Sequence, residues 1–361
     1  MTEAHASVSP PQSPPRHTTR LLAIDAARGL ALIGMMMINL GTVRSDGWFN
    51  KVWTLPFGRA SILFVMLAGL GMSLFLSSRR SHAHRWPVLV WRALIFLMLG
   101  LALQVLTPAV SVILPTYGVL FLGALLWRRL PGRALVAAAA AMLVIGPIVV
   151  LAHQIPGEHK TRMPTLGESP GTILHSLFLS GAYPLLVWVV PFLVGMWLGR
   201  QDLRNVALQH RLVVGGAVAA AVAFVIGQAS AWMLGARADS GWARLLTGAA
   251  HGQMPLWLVS SIGSASFVVG SALLLWPRMS KWALPLAYVG QLAFTLYVAH
   301  FFFIAAMGGR IESRLVGVPV TIALVLLFAA AATLWVRRWG TGPLERVLRA
   351  TWLANIARGN A

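Results

Sequence analysis

Hydrophobic residues in this chain form long runs that short polar segments separate. Runs of spanning length lie at about 21–42, 58–77, 87–106, 109–127, 133–152, 177–199, 212–234, 255–276, 283–307 and 316–336. About 20 apolar residues in a helix cross the hydrocarbon core of a bilayer. The runs lack the strict alternation of barrel strands, which excludes a β-barrel. The pattern therefore predicts an all-α, polytopic membrane bundle of about ten transmembrane helices.

Composition supports a membrane class and one compact unit. The 361 residues are 58% hydrophobic and 11% charged, with a mean hydropathy of +0.75, which is more apolar than a soluble core needs. We expect a transmembrane bundle over residues 21–338 with an outer loop at 153–176, which contains three prolines. Residues 339–361 are predicted to form a cytoplasmic C-terminal segment.

The N-terminal segment 1–20 reads as a disordered cytoplasmic tail. It is rich in Pro, Ser and Thr and has no apolar core of a signal peptide. The first apolar run follows it directly. We expect an uncleaved signal-anchor helix.

The distribution of basic residues predicts the orientation of the bundle. Nineteen of the 29 Lys and Arg residues fall on one side of the predicted spans, nine fall on the other, and Arg28 lies inside a span. The richer side is expected to be cytoplasmic. Both chain ends then lie in the cytoplasm of a multi-pass protein of the plasma or inner membrane.

The net charge of +20 has this topological explanation and does not indicate a nucleic-acid partner, because the cations do not form a stripe with interleaved aromatics. The chain has no cysteine, which excludes disulfides, thiolate metal sites and cysteine nucleophiles. There is no Walker motif and no His-Glu-x-x-His, and no metal site is indicated. The oligomeric state is left open.

Asp25 and Arg28 lie in the first predicted helix at a spacing that places them on one face. One interpretation is a structural ion pair near the cytoplasmic interface. The other is a donor site, in which the planar guanidinium of Arg28 binds a phosphate or pyrophosphate from the cytoplasm. The residues alone do not separate the two.

Four polar residues mark the opposite, outer half. Asn39 ends the first helix, Arg59 begins the second, His251 precedes the eighth and His300 lies within the ninth. An intramembrane imidazole needs a hydrogen-bond partner, so His300 is either structurally satisfied or handles protons. His251 is a candidate general base for an acceptor hydroxyl or amine, against the alternative of a solvated loop histidine. Arg59 either faces the bundle interior or anchors at the interface.

The opening of the first helix, Asp25-Ala-Ala-Arg28-Gly, resembles that of transmembrane acyltransferases, including the heparan-alpha-glucosaminide N-acetyltransferase family. The C-terminal half resembles the bacterial domain-of-unknown-function 418 family. The motifs that carry this second resemblance begin at Tyr183-Pro, Gly195-Met-Trp, His251-Gly-Gln-Met-Pro, Gly290-Gln-Leu-Ala-Phe-Thr and Gly342-Pro-Leu-Glu.

These resemblances imply transfer of an acyl group, such as acetyl, from cytoplasmic acyl-CoA to a sugar or small acceptor outside. The donor would bind at Asp25 and Arg28, and the reaction would use His251 and His300. The acceptor side would comprise Asn39, Asn50, Arg59, Tyr183 and Gln253.

The chain departs from the family pattern at Asn50, which occupies the position of the family's active histidine. Asparagine neither accepts an acyl group nor acts as a base at neutral pH. Either His251 or His300 has taken that role, or this branch has another activity. A proton-coupled transporter or exporter of small molecules is the alternative, and a scaffold for cytoplasmic partners ranks last.

Overall fold

The computed structural model describes residues 21–41, 47–77, 85–155 and 163–350. Thirteen α-helices are present in these residues, and no strand is. They are α1 Leu22–Leu40, α2 Gly47–Trp53, α3 Arg59–Ser77, α4 Arg85–Leu106, α5 Leu114–Trp127, α6 Gly132–Gln154, α7 Pro170–His175, α8 Leu185–Leu198, α9 Val206–Leu234, α10 Pro255–Gln291, α11 Ala293–Ala306, α12 Arg314–Trp339 and α13 Pro343–Arg349. The predicted tail 1–20 and the last part of the predicted C-terminal segment lie outside the described residues.

The helices form an all-α membrane bundle, as the hydrophobic pattern predicts. Among the described residues, seven helices are long and apolar enough to cross a membrane, and an eighth span arises if α7 to Ser180 and α8, which meet at 65°, are counted together. The shorter helices α5 and α11 are also apolar. Each of the ten predicted runs thus carries helix, while the number of crossings and their orientation stay predictions.

The helix boundaries differ from the predicted runs at α10. The sequence indicates a break near residues 277–282, but α10 continues through Pro277 and Pro285 to Gln291. The break falls instead at Leu292, where α11 begins. At about 1.5 Å per residue, the 37 residues of α10 exceed the roughly 30 Å hydrocarbon core. The helix therefore carries the eighth run and the beginning of the ninth.

The core of the bundle lies where α1, α3, α8 and α10 pack together. Glycines permit the closest approach of these helices. A Cβ added at Gly290 of α10 would collide with the main-chain oxygen of Asp25 in α1, and one added at Gly195 of α8 would collide with that of Met66 in α3. Small residues at helix contacts are the usual means of close packing in membranes.

The C-terminal helix α13 fixes the beginning of α11. The Glu345 carboxylate accepts hydrogen bonds from the backbone N–H groups of Phe294 and Thr295 at 2.9 and 3.0 Å, and from the Thr295 hydroxyl at 2.6 Å. It supplies an N-terminal cap that α11 does not provide from its own sequence. This contact holds the helix that carries Tyr297 and His300.

Candidate active site

Within the described residues, Tyr297 lines two cavities, which we call inner and outer after the predicted orientation of the bundle. The inner cavity, of about 470 Å³, is lined by Arg28, Arg92, Arg349 and a set of aromatic residues. The outer cavity, of about 210 Å³, is lined by Asn39, Tyr183, His251 and Arg310 among others. Tyr297 is 2% exposed, and its hydroxyl accepts a hydrogen bond from the Ile113 backbone at 3.3 Å. Tyr297 therefore lies at the boundary of the two cavities.

Three arginines line the inner cavity. Arg349 is exposed, Arg92 is half-buried, and the Arg28 side chain is 26% exposed. Arg28 forms an ion pair with Asp25 at 2.9 Å, so the expected contact between these residues is present. The Arg92 guanidinium lies 4.4 Å from the centre of the Phe75 ring and donates to the Leu348 carbonyl. The lining of the inner cavity thus combines cationic side chains with aromatic ones.

That interior consists of rings from several helices. Phe64, Phe96, Tyr117, Phe121 and Phe294 line it. The hydroxyl of Tyr117 is buried and has no hydrogen-bond partner within the described part of the chain. A buried polar atom without a partner carries a free-energy cost, which a bound polar group would relieve.

His251 faces the outer cavity from the loop before α10. It is half-buried and enclosed by the rings of Phe57, Tyr183, Trp188 and Trp257, whose centroids lie 5.3–5.8 Å away. Burial lowers the pKa of His251 to about 4. The imidazole is thus neutral at physiological pH, which is the form that can accept a proton.

The loop that carries His251 has an unusual backbone. His251 and Gln253 have φ angles of +58° and +63°, a left-handed region that residues with a Cβ adopt at some cost. Gln253 is buried, and its amide donates to the Ala182 carbonyl at 2.8 Å. Gln253 therefore holds the loop against the chain next to Tyr183.

His300 lies behind the outer cavity. It is fully buried, and its Nε2 is 3.2 Å from the amide nitrogen of Asn39, which does line the cavity. An amide donor on Nε2 implies the neutral tautomer with the proton on Nδ1. His300 thus reaches the cavity through Asn39.

Three predicted acceptor-side residues, Gln253, Arg59 and Asn50, lie outside the lining of the outer cavity. Arg59 is half-buried at the beginning of α3 and donates to the Leu55 carbonyl at 3.3 Å. Asn50 lies half-buried in the short helix α2. Neither the Arg59 nor the Asn50 side chain lines the inner or the outer cavity.

Other residues of the site were not singled out by sequence reasoning. Tyr297 and Arg310 line the outer cavity, and Arg92 and Arg349 line the inner one. Tyr297 precedes His300 by three positions, a spacing that already places both on one helical face. Arg310 had no comparable signal, because it follows two glycines in a short loop. Among the described residues, no group of three or more histidine, aspartate or glutamate side chains could hold a metal ion.

A family model described as heparan-alpha-glucosaminide N-acetyltransferase, catalytic, matches residues 20–234, more than half of the chain. The chain belongs to this family. The heparan-alpha-glucosaminide N-acetyltransferase match covers α1 to α9 and includes Arg28, Asn39 and Tyr183. It confirms the resemblance seen in the first helix and identifies a multi-pass protein of a transmembrane acetyltransferase family.

A second family model, for a protein of unknown function, DUF418, matches residues 198–354. This match confirms the resemblance of the C-terminal half and includes His251, Tyr297, His300 and Arg310. Both cavities are therefore built from residues of the two matched regions. No curated protein matches this chain.

Proposed function

We propose that this protein transfers an acyl group, acetyl in the simplest case, from cytoplasmic acyl-CoA to a small acceptor in the outer cavity. One observation carries the proposal: Tyr297 lines both an inner cavity with three arginines and an outer cavity with a neutral histidine. A donor and an acceptor on opposite sides of this residue would bring their reacting groups together at one point. Membership of an acetyltransferase family supports the same chemistry.

The inner cavity suits the donor. Coenzyme A carries phosphates at one end and a slender arm with the thioester at the other. The arginines Arg349, Arg92 and Arg28 would bind phosphates with planar, bidentate donors. The volume of about 470 Å³ lies within the range of small-molecule sites and would take the arm, with the nucleotide at the mouth. The ion pair with Asp25 would hold the Arg28 guanidinium in place.

The transfer step would use His251 as the general base. The neutral imidazole takes the proton of the acceptor hydroxyl or amine, and the oxygen or nitrogen attacks the thioester carbonyl carbon. The new C–O or C–N bond forms as the C–S bond breaks. The thiolate leaves and takes the proton from the imidazolium, which gives free coenzyme A and the acylated acceptor.

Asn39 and His300 would support this step from the same cavity. Asn39 is placed to hold the acceptor or the carbonyl oxygen, and His300 orients the Asn39 amide. We treat His300 as a positioning residue, because it is fully buried. In the proposed site, His251 is the general base and His300 positions Asn39.

The decisive experiment supplies radiolabelled acetyl-CoA to the purified full-length protein in proteoliposomes, with candidate acceptors on the opposite side. We expect label in an acceptor product, and a loss of roughly 100-fold or more in His251→Ala, as expected for removal of a general base. His210→Ala, which removes an exposed histidine, is the matched control. Melting temperatures verify that both variants fold, and His251→Gln serves if the alanine variant does not.

The same assay distinguishes the transport alternative. A proton-coupled transporter would accumulate solute under an imposed proton gradient without acetyl-CoA. Solute uptake together with no labelling and no acetyl-CoA binding would overturn the acyltransferase proposal.

The donor site yields a separate prediction. Arg28→Gln is expected to raise KM for acetyl-CoA roughly tenfold or more, because a charge-assisted hydrogen bond contributes about 1.5–3 kcal/mol. Arg211→Gln, at an exposed position of α9, should leave KM unchanged. Equal KM values in Arg28→Gln and the parent protein would remove Arg28 from the donor site.

A further inference from the structure

Arg310 lines the outer cavity, and no described carboxylate serves as its counter-ion. Its Nε is buried and has no hydrogen-bond partner among the described residues, and within that part of the chain no carboxylate forms an ion pair with it. Burial lowers the pKa of Arg310, although arginine stays charged at any physiological pH. A partly buried charge without a partner is costly, and proteins ordinarily pair it.

The position of Arg310 is built into the fold. Gly308 and Gly309 end α11 with φ angles of +75° and +127°, which glycine adopts without strain. The next residue, Ile311, then donates its backbone N–H to the Leu40 carbonyl at 2.9 Å. Leu40 directly follows Asn39, so the turn fixes Arg310 beside the end of α1. The backbone from which the Arg310 side chain enters the cavity lining is thus fixed by main-chain geometry.

The rest of the outer cavity offers Arg310 no negative charge. Its described lining has hydroxyl, amide, imidazole and apolar groups but neither aspartate nor glutamate. His251 is neutral at physiological pH, because burial lowers its pKa to about 4. Arg310 therefore sets the sign of the potential that a ligand meets in this cavity.

This charge discriminates between classes of acceptor. A protonated amine would meet an unscreened like charge in a site of low dielectric, with no carboxylate to balance it. An anion would form charge-assisted hydrogen bonds with the guanidinium fork. The volume of about 210 Å³ is below the roughly 300–1,000 Å³ of drug-sized sites, so the bound group is small.

We infer that the acceptor is a small hydroxyl compound that carries a carboxylate or a phosphate, and that Arg310 binds this anion. The inference rests on the proposed acyl transfer and specifies its substrate class. In the reaction, the acceptor O–H loses its proton to His251, the oxygen forms an ester bond with the acyl carbon, and the C–S bond of the donor breaks. The product is an anionic O-acyl ester together with free coenzyme A.

The test compares related sugars that differ in charge. Glucuronic acid and its uncharged methyl ester form one pair, and glucose 6-phosphate and glucose form the second, with glucosamine as the cationic probe. With the full-length protein in proteoliposomes and labelled acetyl-CoA, we expect kcat/KM for an anionic acceptor to exceed that for its neutral partner by roughly 10- to 100-fold. The two pairs distinguish a carboxylate from a phosphate.

Variants assign the preference to one residue. Arg310→Gln should lower kcat/KM for the anionic acceptor to the level of its neutral partner and so abolish the preference. Arg314→Gln is the matched control, because Arg314 is an exposed arginine of the next helix whose guanidinium lies over the Phe49 ring. This control should keep the full preference.

A binding measurement separates failure of this inference from failure of the proposed function. Titration calorimetry without acetyl-CoA should detect binding of the anionic sugars to the parent protein and to Arg314→Gln, but not to Arg310→Gln. Transfer with equal or better use of neutral or cationic acceptors would overturn the inference and leave acyl transfer standing. Anion binding that depends on Arg310 without any transfer would overturn the acyl-transfer function while the anion site stands. No anion binding and no preference would overturn the inference.

Discussion

His251 and Gln253 hold a left-handed backbone at the edge of a cavity, where such a conformation needs support from its surroundings. The support is visible in the hydrogen bond from Gln253 to Ala182 and in the four rings around His251. The same rings surround the imidazole, and its burial among them lowers the pKa of His251. The packing around His251 thus also determines the protonation state that the proposed chemistry requires.

The lowered pKa of His251 predicts the pH dependence of transfer. A general base acts in its unprotonated form, and the ordinary pKa of histidine is about 6.5. Because burial lowers the pKa of His251 to about 4, kcat/KM should stay constant from pH 8 to about pH 5 and fall below that. Tyr183, Tyr297 and Arg310 share the cavity, but the ordinary pKa values of tyrosine and arginine lie far above this range.

The profile is measured in proteoliposomes with the outer pH varied, for the parent protein and for His210→Ala. Both should give the same curve. A fall centred near pH 6.5 would contradict the assignment of a buried, desolvated His251 as the base.

Helix α11 depends on a cap from a distant part of the chain. Glu345 of α13 accepts from two backbone N–H groups and the Thr295 hydroxyl at the beginning of α11. These bonds join the C-terminal segment to the helix that carries Tyr297 and His300. The bonds also place an acidic group at a helix N-terminus, which the helix dipole favours.

Glu345→Ala should therefore lower the melting temperature, with a loss of about 1–2 kcal/mol as for other lost helix caps. Glu312→Ala, at an exposed position of the loop before α12, is the control and should melt like the parent. Thermal unfolding in detergent measures both. Unchanged melting of Glu345→Ala would show that the cap contributes nothing to stability.

Helix contacts give a second prediction about elements. Gly290→Ala should destabilise the bundle by roughly 1–3 kcal/mol, the usual cost of an overpacked contact, since the new Cβ meets the Asp25 backbone. Gly215→Ala in α9 meets no atom within 4 Å and should be neutral or stabilising by up to about 1 kcal/mol through its higher helix propensity. The two alanine variants are compared by thermal melting. If Gly290→Ala melted at the same temperature as the parent protein, α1 and α10 could move apart to accept the extra methyl group at little cost in stability.

The molecule as a whole has an inner and an outer cavity, and its orientation in the membrane decides which side each one faces. The basic residues predict that the arginine-lined cavity opens to the cytoplasm and the His251 cavity to the outside. Donor and acceptor would then arrive from opposite sides, so the proposed function needs this orientation.

The absence of native cysteine makes the orientation directly measurable. A cysteine at Ser240, between α9 and α10, should react with a membrane-impermeant maleimide added to intact cells. Cysteines at Arg204 or Arg129 should react only after the cells are opened. The reverse labelling pattern would show that the bundle has the opposite orientation. Labelling of Arg129→Cys alone from outside would show that the number of crossings before α6 differs from the predicted one.

The sequence by itself determined the class of the protein and the location of most of its helices. A bilayer core of fixed thickness requires runs of about 20 apolar residues, so composition and run length are sufficient evidence. The Asp25 and Arg28 pair was predictable for the same kind of reason, because a spacing of three residues on a helix is a local constraint.

Only the tertiary structure decided what surrounds each polar side chain. Asn39 and His300 are 261 residues apart in sequence, and helix packing alone brings them within 3.2 Å. No local spacing indicates that Arg59 and Asn50 are absent from the lining of both cavities, or that Arg310 belongs to the lining of the outer one. Periodicity specifies which face of a helix a residue occupies, but long-range packing decides which other helix or loop lies against that face. That packing places Tyr297 in the lining of both the inner and the outer cavity.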